Sequence, residues 1–174
     1  MISAAKLDVA LYESVEADQS ATPQAMTVVI ISALAAGIGG IRMGFMSAII
    51  GVIGALVGWV LWSFLCYIIG TKLLPEPTTK ADLGELLRTT GFAQSPGVIR
   101  ILGIIPGFFM LSNLIAMVWM LIAMVVGVRQ ALDYKSTPRT IGVVAIGFVA
   151  VLFLNIMIAV VVGAASIAAA GLSG

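Results

Sequence analysis

Long apolar runs separated by short polar breaks make up nearly all of this chain. Four runs stand out: 23–41, 45–69, 96–128 and 138–170. A hydrocarbon core of about 30 Å needs about 20 apolar residues in a helix, so the first, second and last runs each predict a membrane span. The run 96–128 is too long for one crossing. At about 1.5 Å per residue it would extend for about 50 Å. Its polar interruption, Ser112-Asn113, divides it into 96–111 and 114–128, either two short spans or a re-entrant hairpin. The break Pro106-Gly107 keeps the hairpin open as an alternative. A further break, Arg42-Met43-Gly44, separates the first two spans.

Charge selects the count. With five spans, Lys6, Lys72, Lys80, Arg88, Arg100, Arg129, Lys135 and Arg139 fall on one side, and Arg42 alone on the other. Basic residues concentrate on the cytoplasmic side of membrane proteins, which places the N-terminus inside and the C-terminus outside. Four spans would mix the charges. Three spans of the five-span reading open with a hydroxyl residue and proline: Thr22-Pro23, Ser95-Pro96 and Thr137-Pro138. A hydroxyl N-cap and proline in the first turn both suit a helix start.

Two polar stretches predict structure of their own. Residues 1–22 read as a cytoplasmic tail with a weak apolar stripe, Leu7, Leu11 and Val15. In the connector after the second span, Pro75 and Pro77 stop the helix. Thr79 to Asp82 has capping-box spacing with an acid in the partner position, and Gly91 suits a helix end. Residues 79–92 then read as an amphipathic helix on the membrane surface. Leu83, Leu86 and Leu87 lie on its apolar face, and Arg88 faces elsewhere.

Composition confirms the class and narrows the chemistry. The 174 residues are 61% hydrophobic and 10% charged, and mean hydropathy is +1.17. Soluble domains carry about 25% charged residues. The net charge of +1 gives no field for nucleic acid. Without histidine, and with Cys66 the single cysteine, no His/Cys metal site, histidine-based triad or internal disulfide is available. Cys66 reads as a small buried filler, with Trp59 and Trp62 packing near it. No acid lies within a span, whereas ion-coupled pumps use intramembrane carboxylates. Catalytic residues, cofactors and metals are therefore not expected.

The remaining candidates concern packing. Gly51, Gly54, Ala55 and Gly58 in the second span, and Gly103 and Gly107 in the third, have the spacing that lets helix backbones approach closely. They predict tight contact within the chain or with another membrane protein, self-association included. Asn155 predicts a hydrogen bond across a helix interface, or a polar point on a transport path. Arg129, Gln130 and Asp133 end the fourth span. Arg129 and Asp133 are four apart and can pair. With the 79–92 helix they would form a cytoplasmic belt.

Three stretches carry a resemblance: "LWSFLCYIIGTKLL", "LGELLRTTGFAQSPG" and "AMVVGVRQALDYKSTPRTIGVV". Gly70-Thr71, Gly91 to Pro96 and Val128 to Leu132 are their most specific points. From about Asp18 to Phe148 the chain resembles the Yip (Ypt-interacting protein) family, in particular its short bacterial branch. The resemblance implies five helices, a cytoplasmic N-terminus and a bacterial plasma membrane. Eukaryotic members of that family act in vesicle traffic, binding prenylated small GTPases or shaping membranes. Their Asp-Leu-Tyr-Gly-type motif is not intact in Val9 to Glu13, so GTPase recruitment is not expected. The expectation is an all-α polytopic membrane protein with a non-catalytic role. It would be a scaffold or accessory subunit packing with membrane proteins or lipids. A small transporter or channel component, and a membrane-shaping or lipid-handling protein, are the alternatives.

Overall fold

The computed structural model describes residues 1–41 and 44–172, with side chains as far as Val161 apart from those of Phe45 and Ser47. The expected break at Arg42-Met43 lies outside the described residues. All regular structure among them is helical: α1 (Ile2–Ala5), α2 (Val9–Ala17), α3 (Thr22–Gly39), α4 (Phe45–Ile68), α5 (Leu83–Phe92), α6 (Phe109–Ala131) and α7 (Thr137–Leu172). A π turn, Ile69–Leu73, closes α4, and a 3-10 segment, Ser95–Ile104, lies between α5 and α6.

Four stretches are long and apolar enough to cross a membrane: Gln19–Gly39, Ala48–Leu73, Phe109–Ala131 and Thr137–Val161. The expected third span, 96–111, is not one of them. Its first part is the 3-10 segment, and its last residues belong to α6, as does all of 114–128. The break at Ser112-Asn113 does not exist, because both polar side chains are satisfied inside the helix. Ser112 Oγ donates to Phe109 O at 3.1 Å and Asn113 Nδ2 to the same carbonyl at 2.8 Å. The chain turns earlier, where Ile105 is extended before Pro106 and Gly107 takes φ +86°.

Close contacts at glycines set the direction of each segment. Along α3, Ala25 lies against Gly91, Ser32 against Gly97, and Gly39 against Arg100 and Gly103. The 3-10 segment therefore climbs parallel to α3. α6 returns: Phe109 reaches Gly40, Met120 reaches Gly97, and Gly127 lies against Thr89. α4 runs antiparallel to α3, with Ala48 at Gly37 and Trp59 at Gly91. α7 then rises beside α4, with Gly142 near Leu74 and Gly147 near Trp62.

The core lies at the end of the bundle that carries the N-terminus. Tyr12, Leu86, Val128, Leu132 and Val143 are fully buried there. Residues 1–22 are not a separate tail. Tyr12 Oη donates to Ala4 O at 3.2 Å, and Trp119 Nε1 reaches Ala5 O at 2.7 Å, so α1 and α2 fold onto the bundle. Toward the other end, large apolar side chains such as Met46, Ile53, Met110 and Phe153 face outward. Exposed apolar surface on this scale marks contact with a membrane.

Candidate functional site

The belt residues do gather at one end of the molecule, but their roles differ from the sequence reading. α5 starts at Asp82, not Thr79. Asp82 Oδ1 accepts from Glu85 N and Glu85 Oε2 accepts from Asp82 N, both at 2.8 Å, a complete capping box. Thr79 Oγ1 instead accepts from Glu76 N at 2.8 Å. Nor is α5 a surface helix. It is wedged among α2, α3, α4 and α6. Leu86 is fully buried, Leu83 and Leu87 are half-buried, and everything from Arg88 to Ala93 is buried. The polar groups that suggested exposure are satisfied inside. Thr89 and Thr90 bond back to Glu85 O and Leu86 O, and Ser63 Oγ lies 2.7 Å from Thr90 Oγ1.

Arg88 closes the end of α2. Its Nε donates to Val15 O at 2.9 Å, and its guanidinium also donates to Glu16 O. These are carbonyls of the last helical turn, where a cation is favoured. Glu16 sits in the same cluster. Burial, with Asp133, Glu85 and Glu13 nearby, raises its pKa to about 7, and Arg88 opposes that rise.

Arg129 and Asp133 do not pair. α6 ends at Ala131 and Asp133 takes φ +53°, which carries its carboxylate out of the i, i+4 position. Arg129 donates instead to Tyr134 O at 3.2 Å and Lys135 O at 3.3 Å. Gln130 Nε2 reaches Glu13 Oε1 at 3.3 Å. Glu76 and Tyr134 were not foreseen. Glu76 accepts from Lys135 N at 2.9 Å and Ser136 N at 3.3 Å and lies 4.0 Å from Arg139. Tyr134 Oη donates toward Gly70 O at 2.8 Å and Leu74 O at 2.6 Å. Tyr134 and Gly70 lie within the matching sequence stretches, the only signal that could have pointed to them.

The glycines divide into two sets. A Cβ on Gly103 would stand 3.1 Å from Gly39 O and from Phe109 Cδ2, so Gly103 makes a close internal contact. Gly107 serves the turn. Gly51, Gly54 and Gly58 are exposed, and a Cβ on any of them would meet nothing within 4 Å. Gly54 and Gly58 make no close contact inside the chain, Gly51 lines an open cleft toward α3, and Ala55 packs against the core. Asn155 is not interhelical glue. It is exposed, and its Nδ2 donates to Val151 O in its own helix at 2.8 Å.

The five-span reading groups Arg100 with the charges of the N-terminal side, yet its carbonyl lies against Gly39 at the opposite end of α3. In a 3-10 helix residues three apart stack in one column. Gly97, Arg100 and Gly103 form such a column toward α3, a spacing visible in the sequence.

The family model of the Yip1 domain matches residues 18–158. No curated protein and no solved structure matched the chain. That match runs from before α3 into the exposed half of α7 and takes in the α5 wedge, the 3-10 climb and the Arg129–Tyr134 turn, so the chain belongs to the Yip1-domain family of integral membrane proteins.

Proposed function

We propose that this protein is a non-catalytic scaffold or accessory subunit of a bacterial plasma membrane, joining other membrane helices through the open face of α4. The observation that carries this reading is the contrast among its glycines. Gly39, Gly97 and Gly103 make close contacts within the chain, whereas a Cβ on Gly51, Gly54 or Gly58 would meet nothing within 4 Å. In lipid, association relies on packing, and small residues are where helices approach closely. The exposed half of α7, with Asn155 on it, offers a second outward surface.

The test is gentle purification from native membranes. A stoichiometric protein partner, or a second copy, should accompany the wild type and be lost from the double variant Gly54→Leu/Gly58→Leu. That variant should keep its helicity, since both positions open outward. A wild type that runs alone as a monomer would remove the proposal. The transport alternative placed Asn155 and Gly103–Gly107 on one path. Asn155 is not among the residues lining the cleft at Gly39, Gly103 and Gly107, so nothing favours it.

A further inference from the structure

Arg100 forms no ion pair with any acid among the described residues. Among the described residues it has no hydrogen-bonded partner, and its Nε is buried without one. The ion pair found among the described residues is Arg139–Glu76, at the N-terminal end. An ionisable side chain at membrane depth is costly and marks a site by default.

Arg100 lines two open clefts of about 250 Å³ each. One runs between α3 and α4 and is walled by small residues, Ala36, Gly37, Ala48 and Gly51 among them, with Asn113 opposite. The other is bounded by Trp62, Gln94, Met117, Met120 and Phe148. Among the described residues, three buried side-chain polar atoms lack a protein partner: Arg100 Nε, Trp62 Nε1 and Ser32 Oγ. Arg100 and Trp62 line the second cleft. Ser32 sits behind it, beside Gly97 and Met120, one 3-10 turn from Arg100.

Buried polar groups are nearly always satisfied, so this clustering is informative. Arginine and indole N–H groups only donate. The complementary group is an anion rich in acceptor oxygens, and a guanidinium fits phosphate in particular. No acid of the chain lines either cleft.

We propose that Arg100 binds the phosphate of an anionic membrane phospholipid, with an acyl chain lying in the small-residue cleft between α3 and α4. The small side chains leave room for an acyl chain beside the cation, which a free phosphate ion would not need. The proposal does not depend on the scaffold reading, because lipid binding is measured on the purified chain without a partner.

Native mass spectrometry with phosphatidylglycerol and phosphatidylcholine tests it. The wild type should retain phosphatidylglycerol at least about tenfold better, because the choline ammonium of phosphatidylcholine repels the guanidinium and offsets the charge of the phosphate they both carry. Arg100→Gln should remove that preference, and Arg100→Lys should keep part of it. Gly51→Leu fills the cleft at an open position and should weaken both lipids while leaving their ratio unchanged. Helicity and monodispersity of each variant establish that it is folded. Should Arg100→Gln not fold, the lipid ratio in the wild type and the Gly51→Leu result decide. Equal retention of the two lipids by the wild type, an undiminished preference in folded Arg100→Gln, or unchanged lipid binding in Gly51→Leu would overturn the proposal. So would displacement of phosphatidylglycerol by millimolar inorganic phosphate, which would make the site one for a free anion.

Discussion

Arg88 shows how far a residue can depart from its local pattern. Its charge suggests an exposed face of α5, yet it is buried because two main-chain carbonyls of α2 take its donors. Glu16, beside it, gives a pH dependence. Burial and neighbouring acids raise its pKa from 4.5 to about 7 in the folded protein. The folded state then holds the proton more tightly than the unfolded chain. This contribution is fully present below about pH 4.5 and is lost as pH rises through about 7. Glu16 is partly exposed, so solvent screening keeps the effect modest. The melting temperature in detergent should fall by a few degrees between pH 5 and pH 8. Glu16→Gln should flatten most of that slope, and an equally steep slope in the variant would exclude Glu16 as its source.

At the scale of elements, the 3-10 segment explains the glycine pattern. Val98, Ile99 and Ile101 are β-branched and Gly97 and Gly103 flank them, so α-helix propensity is low. The three-residue period turns Gly97, Arg100 and Gly103 into a straight column, and the glycines let it press onto α3. A Cβ on Gly39 would stand 2.0 Å from Arg100 O. Gly39→Ala should therefore cost about 1–3 kcal/mol by overpacking. Gly54→Ala, on an open helix face, should be neutral or gain up to about 1 kcal/mol from helix propensity. Thermal unfolding of the two variants side by side distinguishes a packed glycine from a displayed one. Similar losses in both would contradict the division. The hydroxyl-proline starts were half legible. Pro23 and Pro96 do sit in the first turns, but no side-chain cap accompanies them. Thr22 Oγ1 donates backward to Gln19 O and Ser95 Oγ to Phe92 O. At α7 the accepting hydroxyl is Ser136, which receives Arg139 N at 3.4 Å.

At the scale of the molecule, α3, α4, the 3-10 segment, α6 and α7 alternate in direction. We propose that this order crosses the membrane five times with the N-terminal end in the cytoplasm. The third passage is then a short 3-10 climb that starts from the buried α5. Ten residues at about 2.0 Å each rise only about 20 Å, which is why no apolar window of span length marks it. Cysteine labelling in a Cys66→Ala background checks the orientation. Lys80→Cys should react only from the cytoplasmic side and Ile105→Cys only from outside. Labelling of both from the same side would refute five passages.

Much of this was legible in the chain itself. Apolar run lengths and scarce charge determine a helical membrane protein, because lipid leaves the backbone few ways to satisfy its hydrogen bonds. On the five-passage proposal, charge asymmetry requires an odd number of passages, and it counts them without locating their turns. The location lay in Pro106-Gly107, which breaks backbone geometry, and not in Ser112-Asn113, whose polar groups a helix can satisfy for itself. Tertiary structure alone decided the rest. Whether Arg88 is surface or core, whether Gly54 is contact or display, and whether Arg100 has a counter-charge all depend on which groups a distant segment brings near. Local spacing specifies a residue's own helix, but its partners come from residues far away in the chain.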